Sequence, residues 1–180
     1  MAVKVMHCAL LPFVQTPGLP VSTIDVTLNR SPGGRLELTY RAQGMTPDLC
    51  LPEVAGPARA DELWRHTCFE VFVQEAGQSG YLEFNFSPST RWASYRFDDY
   101  RKGMVPADII PELSVVPEPD TLTLTARLSL PHLADSDWRL ALCAVVESVD
   151  GTCSYWSLIH PAGKPDFHHP LSFALTLSGG

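Results

Sequence analysis

The chain has 180 residues, of which 45% are hydrophobic and 18% are charged, so it suits one globular domain and excludes a disordered chain. Its formal net charge of −7 argues against nucleic acid or an anionic membrane surface as a partner, because both are bound through basic patches. The 16 prolines favour a fold with many turns over one built of long helices.

The cysteine pattern and the N-terminus bear on the cellular compartment. The five cysteines are odd in number and include no C-x-x-C pair, so we expect free thiols in a reducing cytoplasm. The apolar start M-A-V-K-V-M-H-C-A-L-L-P-F is interrupted by Lys4 and His7, and no small-residue cleavage site follows it. It therefore predicts a first strand and not a signal peptide. No apolar run approaches the roughly 18 residues that a membrane-spanning helix needs.

Alternation of apolar and polar residues predicts about ten short strands with turn residues between them. With almost no helical period, this pattern predicts an all-β, single-domain antiparallel sandwich of immunoglobulin or jelly-roll type over residues 1–180. One helical turn is expected at residues 61–64, and a long proline-rich connection at residues 98–120. The predicted strands are residues 2–14, 22–29, 35–41, three between residues 64 and 101, then 122–130, 138–149, 154–159 and 171–177.

In each of the three central strands, every second residue is apolar, and the residues between them form an unusual polar set. The predicted core face consists of Phe69, Val71, Val73, Leu82, Phe84, Phe86, Ala93, Tyr95 and Phe97, and Phe72 interrupts the alternation. The predicted opposite face carries Glu70, Glu83, Asn85 and Arg96. Carboxylates, an amide and a guanidinium on one face can hydrogen-bond a polar ligand, so this face is the predicted binding surface.

Two tryptophans fall at strand ends beside this polar face. Trp64 precedes the first central strand, and Trp156 lies in the strand before the loop H-P-A-G-K-P-D-F-H-H-P. A sugar ring packs its flat C–H face on an indole while its hydroxyls seek paired donors and acceptors. We therefore predict that a saccharide binds between the two rings.

The few basic residues cluster locally at Arg91, Arg96, Arg101 and Lys102. On an acidic protein, such a patch suits a small anion, a carboxylate or the protein's own acidic neighbours.

Hydrolysis is an open alternative. Glu70 and Glu83 have the same parity in neighbouring strands and could form a carboxylate pair, if their environments separated their pKa values. The chain has no G-x-S-x-G motif and no cysteine in an activating setting, so we predict no catalytic residues and a protein that is not an enzyme.

The loop near the C-terminus offers two further alternatives, a metal site or a hydrolase centre, because His160, Asp166, His168 and His169 lie close in sequence. Zinc sites on loops usually show tighter paired spacing, and Lys164 would disfavour a cation. The other interpretation is that these histidines form hydrogen bonds while the loop packs against the sheet rim, and we therefore predict no metal.

The chain resembles the type 9 carbohydrate-binding modules and the wider DOMON-like β-sandwiches, and it looks like a stand-alone bacterial member. The resemblance runs from about Leu63 to the C-terminus through L-W-x5-E-V-F-V, Y-L-E-F-N-F-S-P, T-A-R-L-S-L-P and Y-W-S. In that family two tryptophans sandwich a terminal sugar while a glutamate and an asparagine bond its hydroxyls. Trp64, Glu70, Asn85 and Trp156 match those positions, so the resemblance implies a non-catalytic saccharide binder.

Two positions depart from the family pattern. Glu83 stands where the modules carry an arginine, and Cys153 stands where they carry a second asparagine. Arg96 on the next strand is therefore the predicted substitute for the missing cation. These departures leave open the alternative that the chain shares the family's fold but binds a protein partner on this face.

Other DOMON-like domains bind haem through axial methionine or histidine, so a haem- or cofactor-binding domain is a further alternative. Met45, Met104, His66 and His160 are the candidate ligands here. No motif specifies haem or calcium, and we predict no cofactor. The expected partner is a saccharide or other small molecule, and the oligomeric state is open.

Overall fold

A computed structural model of the protein describes residues 5–13 and 19–179. Over this part of the chain it contains four 3₁₀ turns, at Thr46–Asp48, Leu63–Arg65, Pro131–Leu133 and Pro170–Ser172. The same residues form twelve strands: β1 Val5–Pro12, β2 Val21–Ser31, β3 Arg35–Gly44, β4 Cys68–Glu75, β5 Tyr81–Phe86, β6 Trp92–Phe97, β7 Val105–Pro106, β8 Glu112–Glu118, β9 Thr121–Ser129, β10 Trp138–Glu147, β11 Cys153–Ser157 and β12 Leu175–Leu177.

The strands follow one another in a single curled path. Their order is β7-β6-β5-β4-β10-β11-β1-β2-β3-β9-β8, with β12 added beside β10, and neighbouring strands in it are antiparallel. Strand β1 belongs to both halves, since residues 5–10 pair with β2 whereas Leu11 and Pro12 pair with β11. The predicted all-β antiparallel, sandwich-like architecture is confirmed.

The main core lies between the two halves of the curled sheet. Leu36, Leu38 and Tyr40 of β3 are buried, and they belong to the same core cluster as the buried side chains of β4, β5 and β10. Tyr40 crosses from one half to the other: its ring centroid is 5.1 Å from that of Phe69, and its hydroxyl donates to the carbonyl oxygen of Glu70 at 2.7 Å. This contact fixes the position of β4 against the opposite layer.

The orientation of β6 is opposite to the prediction. Glu83 pairs with Tyr95, whereas Arg96 pairs with Leu82. Because directly opposed residues of antiparallel strands share a face, Tyr95 lies on the face of Glu83, and Arg96 lies on the other. Apolar and aromatic residues are buried on both faces of β6, so alternation alone did not identify its inner side, and a shift of one residue exchanges the faces.

The second face of β4, β5, β6 and β10 is covered as well. Phe72, which interrupts the predicted alternation, packs there against the ring of His168 at 5.0 Å and that of Phe173 at 6.2 Å. Other buried members of this smaller cluster are Tyr81, Ala93, Tyr95, Phe97, Ala141, Cys143, Val145 and Phe167. The face that was predicted to be polar is therefore half apolar and lies beneath the segment that follows β11.

The remaining differences concern single elements. The predicted connection at residues 98–120 contains β7 and the edge strand β8, which tolerates Pro117 because an edge strand need not donate to a second neighbour. The last strand is shorter than predicted, since Pro170–Ser172 is a 3₁₀ turn. Of the predicted first strand, residues 2–4 and 14 lie outside the described residues. Within residues 5–13 and 19–179, no helix is both long and apolar enough to cross a membrane.

Candidate functional site

A cavity of about 680 Å³ lies on the second face, within the usual range of small-ligand sites, about 300–1,000 Å³. Strands β4, β5, β6 and β10 form its floor. The 3₁₀ turn Leu63–Arg65, the turn at residues 98–104, β11 and the cap loop, which we define as residues 160–169, form its walls. Its aromatic lining consists of Trp64, Tyr95, Phe97, Tyr155 and Phe167, and its charged or titratable lining includes Asp61, Glu62, Glu70, Glu83, Arg101 and His168.

Three of the predicted site residues meet in the floor. Glu70 of β4 is paired with Asn85 of β5, and Nδ2 of Asn85 donates to Oε1 of Glu83 at 2.9 Å. Both glutamates line the cavity, whereas Asn85 is fully buried beneath them. Asn85 therefore orients Glu83 rather than facing the cavity.

The two floor carboxyls favour their protonated forms. Burial, and secondly the charge of Glu83, raise the pKa of Glu70 well above its usual range. Burial raises the pKa of Glu83 to about 7, although the hydrogen bond from Asn85 and the charge of Arg101 act in the opposite direction. Strongly shifted carboxyls in a cleft are a physical sign of a functional site.

Two buried acceptor atoms in this floor lack a hydrogen bond. They are Oε1 of Glu70 and Oδ1 of Asn85, which have no partner among residues 5–13 and 19–179. Leaving such an atom unpaired costs about 1–3 kcal/mol. Because Glu70 lines the cavity and Asn85 does not, the floor is suited to a polar molecule that completes the hydrogen bonding of Glu70.

His168 of the cap loop contacts the floor. Its Nδ1 lies 2.8 Å from the hydroxyl of Tyr81, and its Nε2 lies 3.7 Å from Oε2 of Glu83. Burial, helped by the charge of Arg101, lowers the pKa of His168 to about 4. The ring is thus neutral at pH 7, and its contact with Glu83 is not an ion pair there.

The cap loop is held to the cavity rim through Asp166. Nη2 of Arg101 donates to Oδ1 of Asp166 at 2.7 Å, and the hydroxyl of Tyr100 donates to Oδ2 at 2.6 Å. Burial opposes ionisation of Asp166, but these two hydrogen bonds outweigh it and hold the pKa of the carboxyl below its usual range. Arg101, one of the clustered basic residues, therefore pairs with an acidic side chain of the protein itself, which is one of the three kinds of partner considered for the cluster.

Backbone strain also falls at this rim. Arg101 has φ of 53° and Glu62, on the other side of the cavity, has φ of 60°, values that are uncommon for residues with a side chain. Such conformations concentrate at ligand-binding sites, where the surrounding structure holds them in place.

The prediction that Trp156 forms an aromatic platform for a sugar is wrong. Its ring is 2% exposed, belongs to the main core, and its Nε1–H donates to the hydroxyl of Ser154 at 3.0 Å. The preceding residue, Tyr155, points to the other face because strand side chains alternate. Tyr155 is 37% exposed and lines the cavity together with Trp64, which is 49% exposed. Trp64 therefore lines the cavity beside the floor carboxyls, and Tyr155 is an aromatic lining residue that the sequence analysis did not predict.

The predicted cation at Arg96 is also wrong, since its side chain is exposed on the face opposite to Glu83. Arg101 takes that place at the cavity wall. Asp61 does not cap the 3₁₀ turn Leu63–Arg65, and its Oδ1 accepts a hydrogen bond of 2.6 Å from the hydroxyl of Tyr95.

The three histidines of the C-terminal loop do not converge. Nε2 of His160 lies 2.7 Å from the carbonyl oxygen of Leu11, and Nδ1 of His169 accepts the N–H of Leu171 at 3.2 Å, whereas His168 faces the cavity. In the described part of the chain, no group of three His, Cys, Asp or Glu side chains is placed to hold a metal ion. These residues instead pack the loop onto the sheet.

The four candidate haem ligands lie apart. Met104 lines the cavity, whereas Met45 lies beside a separate shallow depression. His66 lies 2.8 Å from Oε2 of Glu147, and His160 contacts β1. Of the four, all in the described ranges, only Met104 reaches the cavity, so they do not form an axial pair there.

Comparison with known proteins finds a solved structure with a similar fold. No family model matches the sequence, and no curated protein matches it. Among solved structures, a putative carbohydrate-binding protein from Bacteroides uniformis ATCC 8492 superposes with a TM-score of 0.68 over 98% of this chain and 87% of that chain, at 18% identity. At this identity the likeness shows a shared fold.

Proposed function

We propose that the protein is a non-catalytic binding domain whose cavity holds a saccharide or a sugar-like small molecule. The observation that carries this proposal is the pair of buried carboxyls, Glu70 and Glu83, at the base of an aromatic-walled cavity, with Oε1 of Glu70 unpaired within the described chain. Hydroxyl groups would supply the missing donors, and sugar C–H faces would pack on the rings.

Each part of the cavity has a role in this proposal. Trp64 and Tyr155 are the packing surfaces, while Glu70, Glu83 and Arg101 form hydrogen bonds with the ligand. The shared fold with the Bacteroides uniformis protein supports the proposal, as does the resemblance to DOMON-like domains and type 9 carbohydrate-binding modules, of which we propose this chain is a distant member. We further propose a cytoplasmic location and hence a soluble ligand.

A hydrolase is the second candidate, because a carboxyl with a pKa of about 7, that of Glu83, suits general acid–base chemistry. Glycoside hydrolysis requires one ionised carboxylate beside one carboxylic acid. Burial instead raises the pKa of both Glu70 and Glu83, so below pH 7 the pair consists mainly of two neutral acids and lacks that carboxylate. The floor is better suited to hydrogen bonding than to catalysis.

Calorimetric titration of a panel of mono- and disaccharides at pH 7 tests the proposal. We expect at least one dissociation constant on the order of µM to mM, because the packing and hydrogen bonds offset only part of the association cost of about 4–15 kcal/mol. Trp64→Ala should abolish the heat, and Val116→Ala, an exposed apolar residue on edge strand β8, should not. Absence of heat with every sugar, or binding that is unchanged in Trp64→Ala, would refute the proposal.

A further inference from the structure

We infer that the ligand of this cavity carries a protonated amine beside its hydroxyl groups, so that it is an amino sugar or a similar cationic polyol. This inference rests on the proposed function and specifies the charge of the ligand.

The charge balance of the cavity lining favours a cationic ligand. Four carboxyl groups line the cavity, on Asp61, Glu62, Glu70 and Glu83, against one guanidinium on Arg101. That guanidinium is already paired with a carboxylate of the cap loop at 2.7 Å. An anionic ligand would therefore meet an excess of acidic groups.

The two outer carboxyls already have partners. Asp61 accepts the hydroxyl of Tyr95 at 2.6 Å, and Glu62 pairs with Arg65 at 2.8 Å. The floor pair, Glu70 and Glu83, is thus the part of the acidic lining that a ligand would engage.

Oε1 of Glu70, which has no hydrogen-bond partner among the described residues, also favours a ligand that carries donors. This side chain is 2% exposed, lines the cavity, and its Oε1 lacks a hydrogen bond to any described residue. The polar and titratable side chains around it are those of Tyr40 across the core, Cys68 on its own strand, Cys143 on β10, and Glu83 and Asn85 on β5. None of these five is a cation.

Glu83 has a similar neighbourhood. His168, neutral at pH 7, and Asn85 contact it directly, Tyr95 is its strand partner, and Arg101, already paired, acts on it from the wall. Burying a carboxylate without a close cation is costly, so burial favours the neutral form of both carboxyls in the free protein. A ligand that brings the cation removes that cost.

The aromatic wall of the cavity favours a cationic ligand as well. Trp64, Tyr95 and Tyr155 line the same cavity as the floor pair. The faces of such rings attract an ammonium group, with Trp the strongest. An ammonium also presents three donors, enough to bond both carboxyls at once, whereas a hydroxyl donates only one hydrogen.

The experiment is calorimetry with three matched probes, glucosamine, glucose and N-acetylglucosamine, at pH 6.5 in two buffers of different ionisation enthalpy. We expect glucosamine to bind at least about tenfold more tightly than the other two probes, because a charge-assisted hydrogen bond replaces a neutral one. Ionisation of the floor carboxyls should release protons with glucosamine and not with glucose.

Two variants assign the effect to the floor. Glu83→Gln and Glu70→Gln should each lower glucosamine affinity about tenfold while changing glucose affinity less than about threefold. Both should fold, because glutamine resembles the neutral carboxyl that the free protein favours. Glu37→Gln, which removes an exposed carboxylate on the other layer, is the matched control and should change neither affinity.

The outcomes separate the inference from the proposed function. Equal affinity for glucose and glucosamine, or for glucosamine and N-acetylglucosamine, overturns the amine inference and leaves saccharide binding intact. A glucosamine preference that persists in both glutamine variants overturns it as well. Failure of every sugar to bind overturns both.

Discussion

Oε2 of Glu83 lies 3.7 Å from Nε2 of His168, and burial moves both groups toward their neutral forms. The pKa of the carboxyl rises to about 7 and that of the imidazole falls to about 4. At pH 5.5 the contact therefore joins a carboxylic acid to a neutral ring. The two shifts give opposite dependences of stability on pH, and each can be measured.

We expect Glu83→Gln to gain stability relative to the wild type as pH rises from 4.5 to 7. In this window the folded protein keeps a proton on Glu83 that the unfolded chain, with an ordinary pKa of 4.5, has lost. Raising the pH therefore favours unfolding of the wild type, by about 3 kcal/mol across the whole window, and the variant lacks this loss. Urea unfolding of both proteins at pH 4.5, 6 and 7.5 measures the difference. A difference that is independent of pH would contradict the buried position of Glu83.

His168 should behave in the opposite way. As pH falls from 6.5 to 4, the unfolded chain binds a proton that the folded ring does not, so the wild type loses about 3 kcal/mol of stability that His168→Gln retains. An NMR titration of the His168 ring protons gives the most direct readout, with an expected midpoint near 4. A midpoint near 6.5 would show that the ring is solvated and that the cap loop does not cover the cavity.

The neighbours Tyr155 and Trp156 should separate binding from stability. Tyr155→Ala removes an exposed ring from the cavity wall, so we expect saccharide affinity to fall about 10- to 100-fold with little change in the free energy of unfolding. Trp156→Ala leaves a void in the core and should lower the free energy of unfolding by about 3–5 kcal/mol.

Calorimetry below the unfolding transition, together with urea unfolding, measures both effects. The proposed position of the ligand would be wrong if Trp156→Ala abolished binding in a folded protein while Tyr155→Ala bound normally.

Arg101 and Arg96 form a second matched pair, because either substitution to alanine removes one positive charge. Arg101→Ala removes the 2.7 Å bond to Asp166 and a donor from the cavity wall, so we expect about a tenfold loss of saccharide affinity. Arg96→Ala removes an exposed side chain from the opposite face and should leave affinity unchanged. Equal losses in the two variants would indicate a general electrostatic effect and not a local contact.

The parts of the fold with one buried and one solvated face were predictable from sequence. Leu36, Leu38 and Tyr40 alternate cleanly with exposed residues, and the period of two places them in the core. The same rule brought Glu70, Glu83 and Asn85 to one face, because the turn between β4 and β5 keeps their parity in register.

The rule failed for two other strands of the sheet, β6 and β11. In β6 and β11 the apolar residues occupy consecutive positions, so the hydrophobic pattern does not show which face each residue is on. In β6 it does not show whether Tyr95 or Arg96 shares the face of Glu83. In β11 it does not show whether Tyr155 or Trp156 lines the cavity. Strand pairing decides the face: Phe86 pairs with Trp92 and Glu147 with Cys153, so the geometry of each connecting turn sets which residues face the cavity. Arg101 could be identified only as part of a basic cluster, because a turn has no period that predicts where its side chains point.

A crystal structure of the protein soaked in a saturating solution of the tightest-binding sugar from the calorimetric panel tests the central claim most directly. We expect the sugar ring to lie between Trp64 and Tyr155, with hydroxyl oxygens about 2.5–3.0 Å from the carboxyl oxygens of Glu70 or Glu83. A sugar bound elsewhere on the surface, or a cavity that holds only solvent at saturation, would contradict it.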